Sequence, residues 1–392
     1  MRPSDADTVL VRHGGEIGVK SDQVRRKMEH RLRANLRALL DAAGVDAAIS
    51  QERHRTYLTT DAPAAATAAA ADCFGVASAS AARRVDPTLD AIRDALAETA
   101  RERYGGGPFA VRARRAGPEG AHSFSSRDIE QRGGAAAWNA IEDAGGDPVV
   151  DLEDPDLELF VECRPADAYV FLEKRAGPGG LPVGTQRPVV ALISGGIDSP
   201  VAAWETMRRG APIVPVYVDL GEYGGVDHRA RAESTVETLA AYAPTLDTDL
   251  RVVEAGDLVA DLVESVEATR MLSLRRAMLA MAEAIAERVG AVGVATGEAI
   301  GQKSSQTSAN LAVTDAAVDL PVHRPNLTRD KAEITERARE IGTYDESTIP
   351  AGCNRVAPAY PETSATLEQV RAAEPDDLLE RARALAAATT GA

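Results

Sequence analysis

Apolar and polar positions change their rhythm along the chain. Beyond residue 185, short apolar runs at Val189–Ile193, Ile213–Val218, Leu250–Val253 and Ala291–Ala295 alternate with stretches of helical length. Such runs hide both faces of an extended strand, and their alternation with helices predicts a parallel sheet covered by helices, an α/β domain. One intervening helix is marked by Leu274, Met278, Met281 and Ile285 at helical spacing, with Gly290 at its end. The methionines read as core rather than as a cofactor box.

The first third of the chain reads differently. Ser21 is placed to cap a helix whose apolar stripe is Val24, Met28, Leu32, Leu36 and Leu39, stopping near Gly44. Arg25, Arg26, Lys27, Arg31, Arg33 and Arg37 occupy its other positions, either as a solvated basic face or as phosphate contacts, with Arg26 and Lys27 the candidates. The strand-like stretch Arg55–Thr59 gives way near Pro63 to an alanine-rich run. Farther on, Phe109–Arg115 places Arg112, Arg114 and Arg115 on a strand, followed by His122, Phe124 and several serines. That set suits phosphates and a stacked base, and equally an edge strand with solvated arginines. Ala176–Gly184 is rich in glycine and proline and reads as a linker. No solenoid repeat is present.

With 392 residues, 44% of them hydrophobic, the chain can bury two or three cores, which excludes disorder, collagen and coiled coil. Its net charge is −16, and the basic residues are nearly all arginine, the lysines being Lys20, Lys27, Lys174, Lys303 and Lys331. An acidic, lysine-poor surface suits solubility at high salt, or follows from a GC-rich genome. Three scattered cysteines, Cys73, Cys163 and Cys353, form no disulfide framework and fit a reducing cytosol. No apolar stretch of about 18 residues and no leader pattern occur, so a cytoplasmic protein without membrane association is expected. His13, His30, His54, His122, His228 and His323 lack metal-ligand spacing, and no metal is assigned to them.

The densest chemistry follows the Val189 run. Ser194-Gly195-Gly196-Ile197-Asp198-Ser199 leads into a helical pattern, an order of strand, glycine turn and helix start that seats anions. It is neither Walker A nor Gly-x-Gly-x-x-Gly. It resembles the PP-loop of ATP pyrophosphatases, which cleave ATP between the α- and β-phosphates. Donors around the departing pyrophosphate would stabilise its developing charge, and Asp198 is the nearest carboxylate for Mg²⁺. A second polar cluster, Thr296–Thr307, follows the Ala291 run and should face the first at the carboxyl ends of the strands.

These two motifs, with His323-Arg324-Pro325, Asp330-Lys331 and Ile341-Gly342-Thr343, resemble the tRNA 4-thiouridine synthetases, or tRNA sulfurtransferases. The match runs upstream through the linker, the Phe109 strand and Arg12–Ile17. The resemblance implies a ferredoxin-like domain at 1–62, a THUMP RNA-binding domain at 63–176, a linker at 177–188 and a doubly wound, Rossmann-like PP-loop domain at 189–392. It implies ATP-dependent formation of 4-thiouridine at the eighth position of tRNA through an adenylated uracil O4. Leu192, Ile193, Tyr217, Val218, Arg275, Gly297 and Gln306 match the family's ATP contacts, beside the loop residues Ser194, Gly195, Gly196, Asp198 and Ser199. Asp198 and Lys331 match residues used in activation.

Cys353 matches the catalytic-domain cysteine that carries sulfur, while Cys73 and Cys163, among apolar neighbours, are expected to be structural. Expected partners are tRNA and a persulfide donor such as a cysteine desulfurase, or inorganic sulfide; a homodimer is compatible. Members with a rhodanese domain tie thiamine thiazole synthesis to it, and the chain stops before one, so that role is not expected. Met271–Leu274 supplies no thiolates for an iron–sulfur cluster, which is not expected either. Two rivals remain open: another PP-loop adenylating enzyme acting on RNA or using ammonia, and an RNA-binding protein with a degenerate nucleotide fold.

Overall fold

The computed structural model describes residues 1–52, 55–118, 120–224, 226–345 and 353–389, with only the backbone of residues 226, 353 and 354. They form two compact units, Met1–Gly180 and Leu181–Ala392.

In the first unit, nine strands form one sheet. Strand Val76–Val85 pairs antiparallel with Thr8–His13 on one edge and with Ala168–Phe171 on the other, so a single hydrogen-bonded surface joins the early hairpin to the later strands. The arginine-bearing strand Pro108–Arg115 runs parallel to Leu157–Cys163. Helix Asp22–Ala42 buries Met28, Leu32, Leu36 and Leu39 as its spacing requires, but Val24 is exposed. Ser21 holds the N-cap position without a side-chain cap bond. Pro63 sits in the first turn of helix Pro63–Ala71, where its missing N–H costs nothing. Glu162, nearly buried, is ringed by Arg55, Arg164 and Arg12. Burial would raise its carboxyl, yet the arginines outweigh burial and hold it below the ordinary carboxylate range.

The second unit is the expected parallel sheet, in the order Arg251–Glu254, Ile213–Asp219, Val189–Leu192, Val294–Ala295, Val322–His323. Strands following Val189–Leu192 first extend the sheet to one side and later to the other, so its order reverses between Val189–Leu192 and Val294–Ala295. A crevice opens at such a switch point, at the strands' carboxyl ends. The run Ala291–Ala295 yields only two strand residues. Gly290 ends the preceding helix in the left-handed region at φ 68, and Ala291 and Val292 donate to Ala286 and Pro188 as connectors.

That helix, Arg270–Val289, buries Leu274, Met281 and Ile285 in the main core. Its Arg276, 1% exposed, donates to Glu374 and to the Val313 carbonyl, tying it to the C-terminal helices. No helix among the described residues is long and apolar enough to cross a membrane.

Candidate functional site

Strand Val189–Leu192 runs through Ser194–Ile197 into helix Asp198–Arg208. The Ser194 N–H donates to Ser199 Oγ at 2.8 Å and the Gly196 N–H to Ser194 Oγ at 3.3 Å, so the two hydroxyls fold the turn. The first N–H groups of the helix have no intrahelical acceptor, which makes this end a seat for phosphate. A Cβ on Gly195 would lie 3.0 Å from His228 Nδ1. One on Gly297 would lie 2.7 Å from both the Asp198 carbonyl carbon and the Ser199 nitrogen, so only glycine lets the second loop press against the first.

Asp198 is held on three sides. Lys331 Nζ lies 2.7 Å from Oδ1, Gln302 Nε2 lies 3.2 Å from the same oxygen, and Asn326 Nδ2 donates to the Asp198 carbonyl at 2.8 Å. Lys331 opens helix Lys331–Glu340, whose start is fixed by a reciprocal capping box between Asp330 and Glu333. The same helix is anchored to Asp198–Arg208 through Glu205, which accepts from Arg329 at 2.7 Å and faces Arg337 at 3.4 Å. Both partners of the Lys331–Asp198 pair thus stand on helices that are locked together.

The second loop is pinned by Glu298. This buried carboxylate takes Arg275 on one oxygen and, on the other, Arg324 Nε at 2.8 Å and the Thr296 hydroxyl at 2.9 Å. Burial would raise its carboxyl, but the charges of Arg275 and Arg324 and the bonds from Arg324 and Thr296 leave it below the usual carboxylate range. Arg275 also donates to Ser305 Oγ at 3.0 Å, and the Gln306 amide spans from Arg275 Nη2 to the Ala299 carbonyl.

Between the loops lies a cavity of about 220 Å³ with one apolar wall, Leu192, Met271, Leu274, Met278 and Leu279, and one polar wall that includes Ser194, Asp198, Ser199, Arg275, Gly297 and Gln306. An apolar slot beside a glycine turn and a helix start fits an adenine nucleotide. Met278 is therefore both core and wall. Among the described residues no three His, Cys, Asp or Glu side chains gather as a metal cluster. A divalent cation held here would take Asp198 and complete its shell with phosphate oxygens and water, as Mg²⁺ commonly does.

Ile193, Tyr217 and Val218 are buried at the ends of the neighbouring strands, with the Ile193 N–H on the Val216 carbonyl at 2.8 Å, and they do not line the cavity. The side chain of Cys353 lies outside the described residues; its backbone opens the short helix Cys353–Val356, and Ala357, next in line, reaches the cavity wall. Cys73 and Cys163 are buried free thiols, and burial pushes Cys163 up to about 11, which leaves little thiolate near neutrality.

In the first unit Arg26, Lys27, Arg114 and Arg115 are exposed, whereas Arg112 is engaged with Glu158 at 2.5 Å and the Leu152 carbonyl at 2.7 Å. Sequence reasoning did not single out Glu298, Gln302, Arg324, Glu205 or His228. Glu298, Gln302 and Arg324 stood inside motifs already noticed, and that membership was their one signal; Glu205 and His228 carried none.

Comparison with known proteins follows the same division. Residues 184–378 match the family described as Thiamine biosynthesis protein (ThiI), residues 8–80 its ferredoxin-like domain, and residues 87–173 the THUMP domain. A protein of Halobacterium salinarum named "Probable tRNA sulfurtransferase" is 57% identical over 389 residues, covering 99% of this chain and 98% of its own. A Methanosarcina mazei protein of the same name is 39% identical, covering 93% of this chain and 90% of its own. A crystal structure described as a 4-thiouridine synthetase–RNA complex with bound ATP superposes with a TM-score of 0.84 at 29% identity, covering 98% of this chain and 99% of that one.

Proposed function

The chain belongs to the tRNA sulfurtransferase (ThiI) family, and from that premise we propose that its Asp198–Lys331 crevice adenylates O4 of the uridine at the eighth position of tRNA and hands the activated base to sulfur. It is an ATP-dependent tRNA sulfurtransferase. The observation that carries the finer reading is the Lys331–Asp198 pair, placed at a phosphate-type turn and roofed by a loop that Glu298 fixes.

Direct replacement of a uracil carbonyl oxygen by sulfur would expel something close to oxide. Adenylation converts that oxygen into the bridging atom of a departing AMP, which gives ATP a chemical purpose. Ser194, Ser199 and the first N–H groups of the Asp198 helix bind phosphate oxygens, and the apolar wall of Leu192, Leu274 and Met278 takes the adenine. Lys331 stands where positive charge offsets the negative charge growing on the α-phosphate. Bound Mg²⁺ would supply further charge neutralisation there, held by Asp198.

Sulfur then arrives at C4. A Cys353 persulfide attacks with its outer sulfur, AMP leaves with the C4–O bond electrons, and an external thiol cleaves the resulting disulfide, leaving sulfur on the base. Hydrosulfide attacking directly would bypass that last reduction. A cysteine desulfurase supplies the persulfide sulfur, whereas free sulfide serves only as the direct nucleophile at C4. Purified protein, tRNA, sulfide and magnesium should yield 4-thiouridine by nucleoside mass spectrometry only with ATP present; equal yield without any nucleotide would refute the adenylation step.

A further inference from the structure

We infer that His228, Arg231 and Arg355 form a seat for the β- and γ-phosphates beside Gly195, holding pyrophosphate as it departs. The inference rests on the ATP-dependent reading above and extends it to residues outside the nucleotide cavity, since none of the three lines it.

His228 and Arg231 stand three apart on helix Val226–Ala240 and so share one face. The histidine ring meets the phosphate turn directly: the open side of Gly195 lies 3.0 Å from Nδ1, counted from where a Cβ would stand. Arg231 has 11% of its side chain exposed, and its Nη2 is 3.9 Å from Asp227, too far for a hydrogen bond. Its Nη1 is buried and has no hydrogen-bond partner among the described residues. Leaving such a donor unmade is costly, so the position points to an acceptor brought by a ligand.

Arg355 comes from a different element, the helix Cys353–Val356, and its Nη1 lies 3.5 Å from the Glu222 carbonyl. Burial and the charges of Arg231 and Arg355 push the His228 imidazole below its usual value, against the opposing pull of Asp227. His228 therefore stands against the phosphate turn with Arg231 one helical turn away, and the charge of Arg355 also reaches the imidazole, in a chain of net charge −16. The two guanidinium charges disfavour a charged imidazole, and an anion bound beside them would offset that positive charge.

The chemistry fits pyrophosphate. As the uridine O4 bonds to the α-phosphorus, the bond from that phosphorus to the bridging oxygen breaks, its electron pair leaves with the pyrophosphate, and the uridine N3 proton passes to solvent. Arg231 and Arg355 meet the charge that appears on the leaving group, and the His228 N–H donates to one of its oxygens.

Titration calorimetry of the full chain with magnesium pyrophosphate and, separately, with AMP tests the seat. R231M and R355M should each weaken pyrophosphate about tenfold or more, and H228Q somewhat less, with AMP affinity kept within about twofold and R231K recovering part of the loss. Unchanged pyrophosphate affinity in R231M and R355M, or AMP affinity falling in parallel, overturns the inference. Wild-type protein that binds pyrophosphate but not AMP would remove the adenylation reading and leave the seat standing. Wild-type protein that fails to bind pyrophosphate removes the seat, whatever its thiolation activity.

Discussion

Lys331 Nζ stands 2.7 Å from Asp198 Oδ1 although 133 residues separate them, because Lys331 opens one helix, Asp198 opens another, and Glu205 ties the two together. The pair is partly exposed, 52% and 30% by side chain, so its contribution to stability is small. Its position at the phosphate turn is its importance. K331M and D198N should each lower the rate of 4-thiouridine formation by about 100-fold or more while the melting temperature and tRNA affinity stay near those of wild type. A variant of either residue that modifies tRNA at the wild-type rate would remove the pair from the mechanism.

Glu298 presents the opposite case, a carboxylate whose work is to hold the roof of the site. Breaking a buried pair leaves charge uncompensated, so E298Q should cost about 3 kcal/mol of stability near neutral pH by urea titration. The sign of the pH dependence follows from its depressed carboxyl: the stabilisation is present above the unfolded value, about 4.3, and is lost as pH falls through the lower folded value. The gap between wild type and E298Q should therefore close only in acid, below the ordinary carboxylate range. A gap that already narrows well above that range, or that persists unchanged in acid far below it, would show that Glu298 is not held as a charged group.

Two glycines in the same loop separate packing from backbone conformation. A methyl group on Gly297 would meet the Asp198 helix start at 2.7 Å, whereas Gly301 has open space around it but φ of 77. G297A should displace the loop and reduce kcat/KM for ATP by about 10- to 100-fold. G301A should cost only about 1 kcal/mol of stability from its left-handed backbone and leave ATP kinetics nearly intact. Equal kinetic losses in both variants would contradict the close approach as the cause.

These sites show how far sequence reaches. The glycine turn, Asp198 and the polar Thr296–Thr307 loop were legible because each follows an apolar run that fixes it to the end of a strand, and a parallel sheet gathers such ends on one edge. The stripe Met28, Leu32, Leu36 was legible from its helical spacing, whereas Val24 keeps that spacing in the helix's first turn yet stays exposed, because periodicity does not say where along a helix its packing partner begins. What stayed hidden depends on pairing between distant segments. Nothing near Glu205 announces that Arg329 and Arg337 will meet it, and nothing near Glu298 announces Arg275 on one side and Arg324 on the other. Likewise, the first unit's continuous sheet comes from Val76–Val85 pairing on both edges, a register that alternation cannot specify.

Cys353 tests the route of sulfur. With a cysteine desulfurase as donor, C353A should lose thiolation almost completely, because the outer sulfur of a persulfide has nowhere to reside. With millimolar sulfide, direct attack on the adenylated base should restore much of the product. Full activity of C353A with the desulfurase would take the cysteine out of the sulfur path, while Asp198 and Lys331 would keep their roles.

RNA affinity raises the last question, since tRNA binding usually draws on counterion release and this chain carries a net −16. Arg112 and Arg114 stand two apart on one strand and face different duties. Arg112 is already spent on Glu158 and the Leu152 carbonyl, while Arg114 is exposed. R114Q should weaken tRNA binding and reduce the slope of log affinity against log salt by about one, the signature of one lost phosphate contact. R112Q should leave that slope unchanged and act, if at all, on the stability of the first unit. Because acidic side chains dominate the surface, the wild-type slope itself should be shallow, with shape and stacking carrying the remainder; a steep loss of affinity between moderate and multimolar KCl would show that phosphate contacts dominate after all.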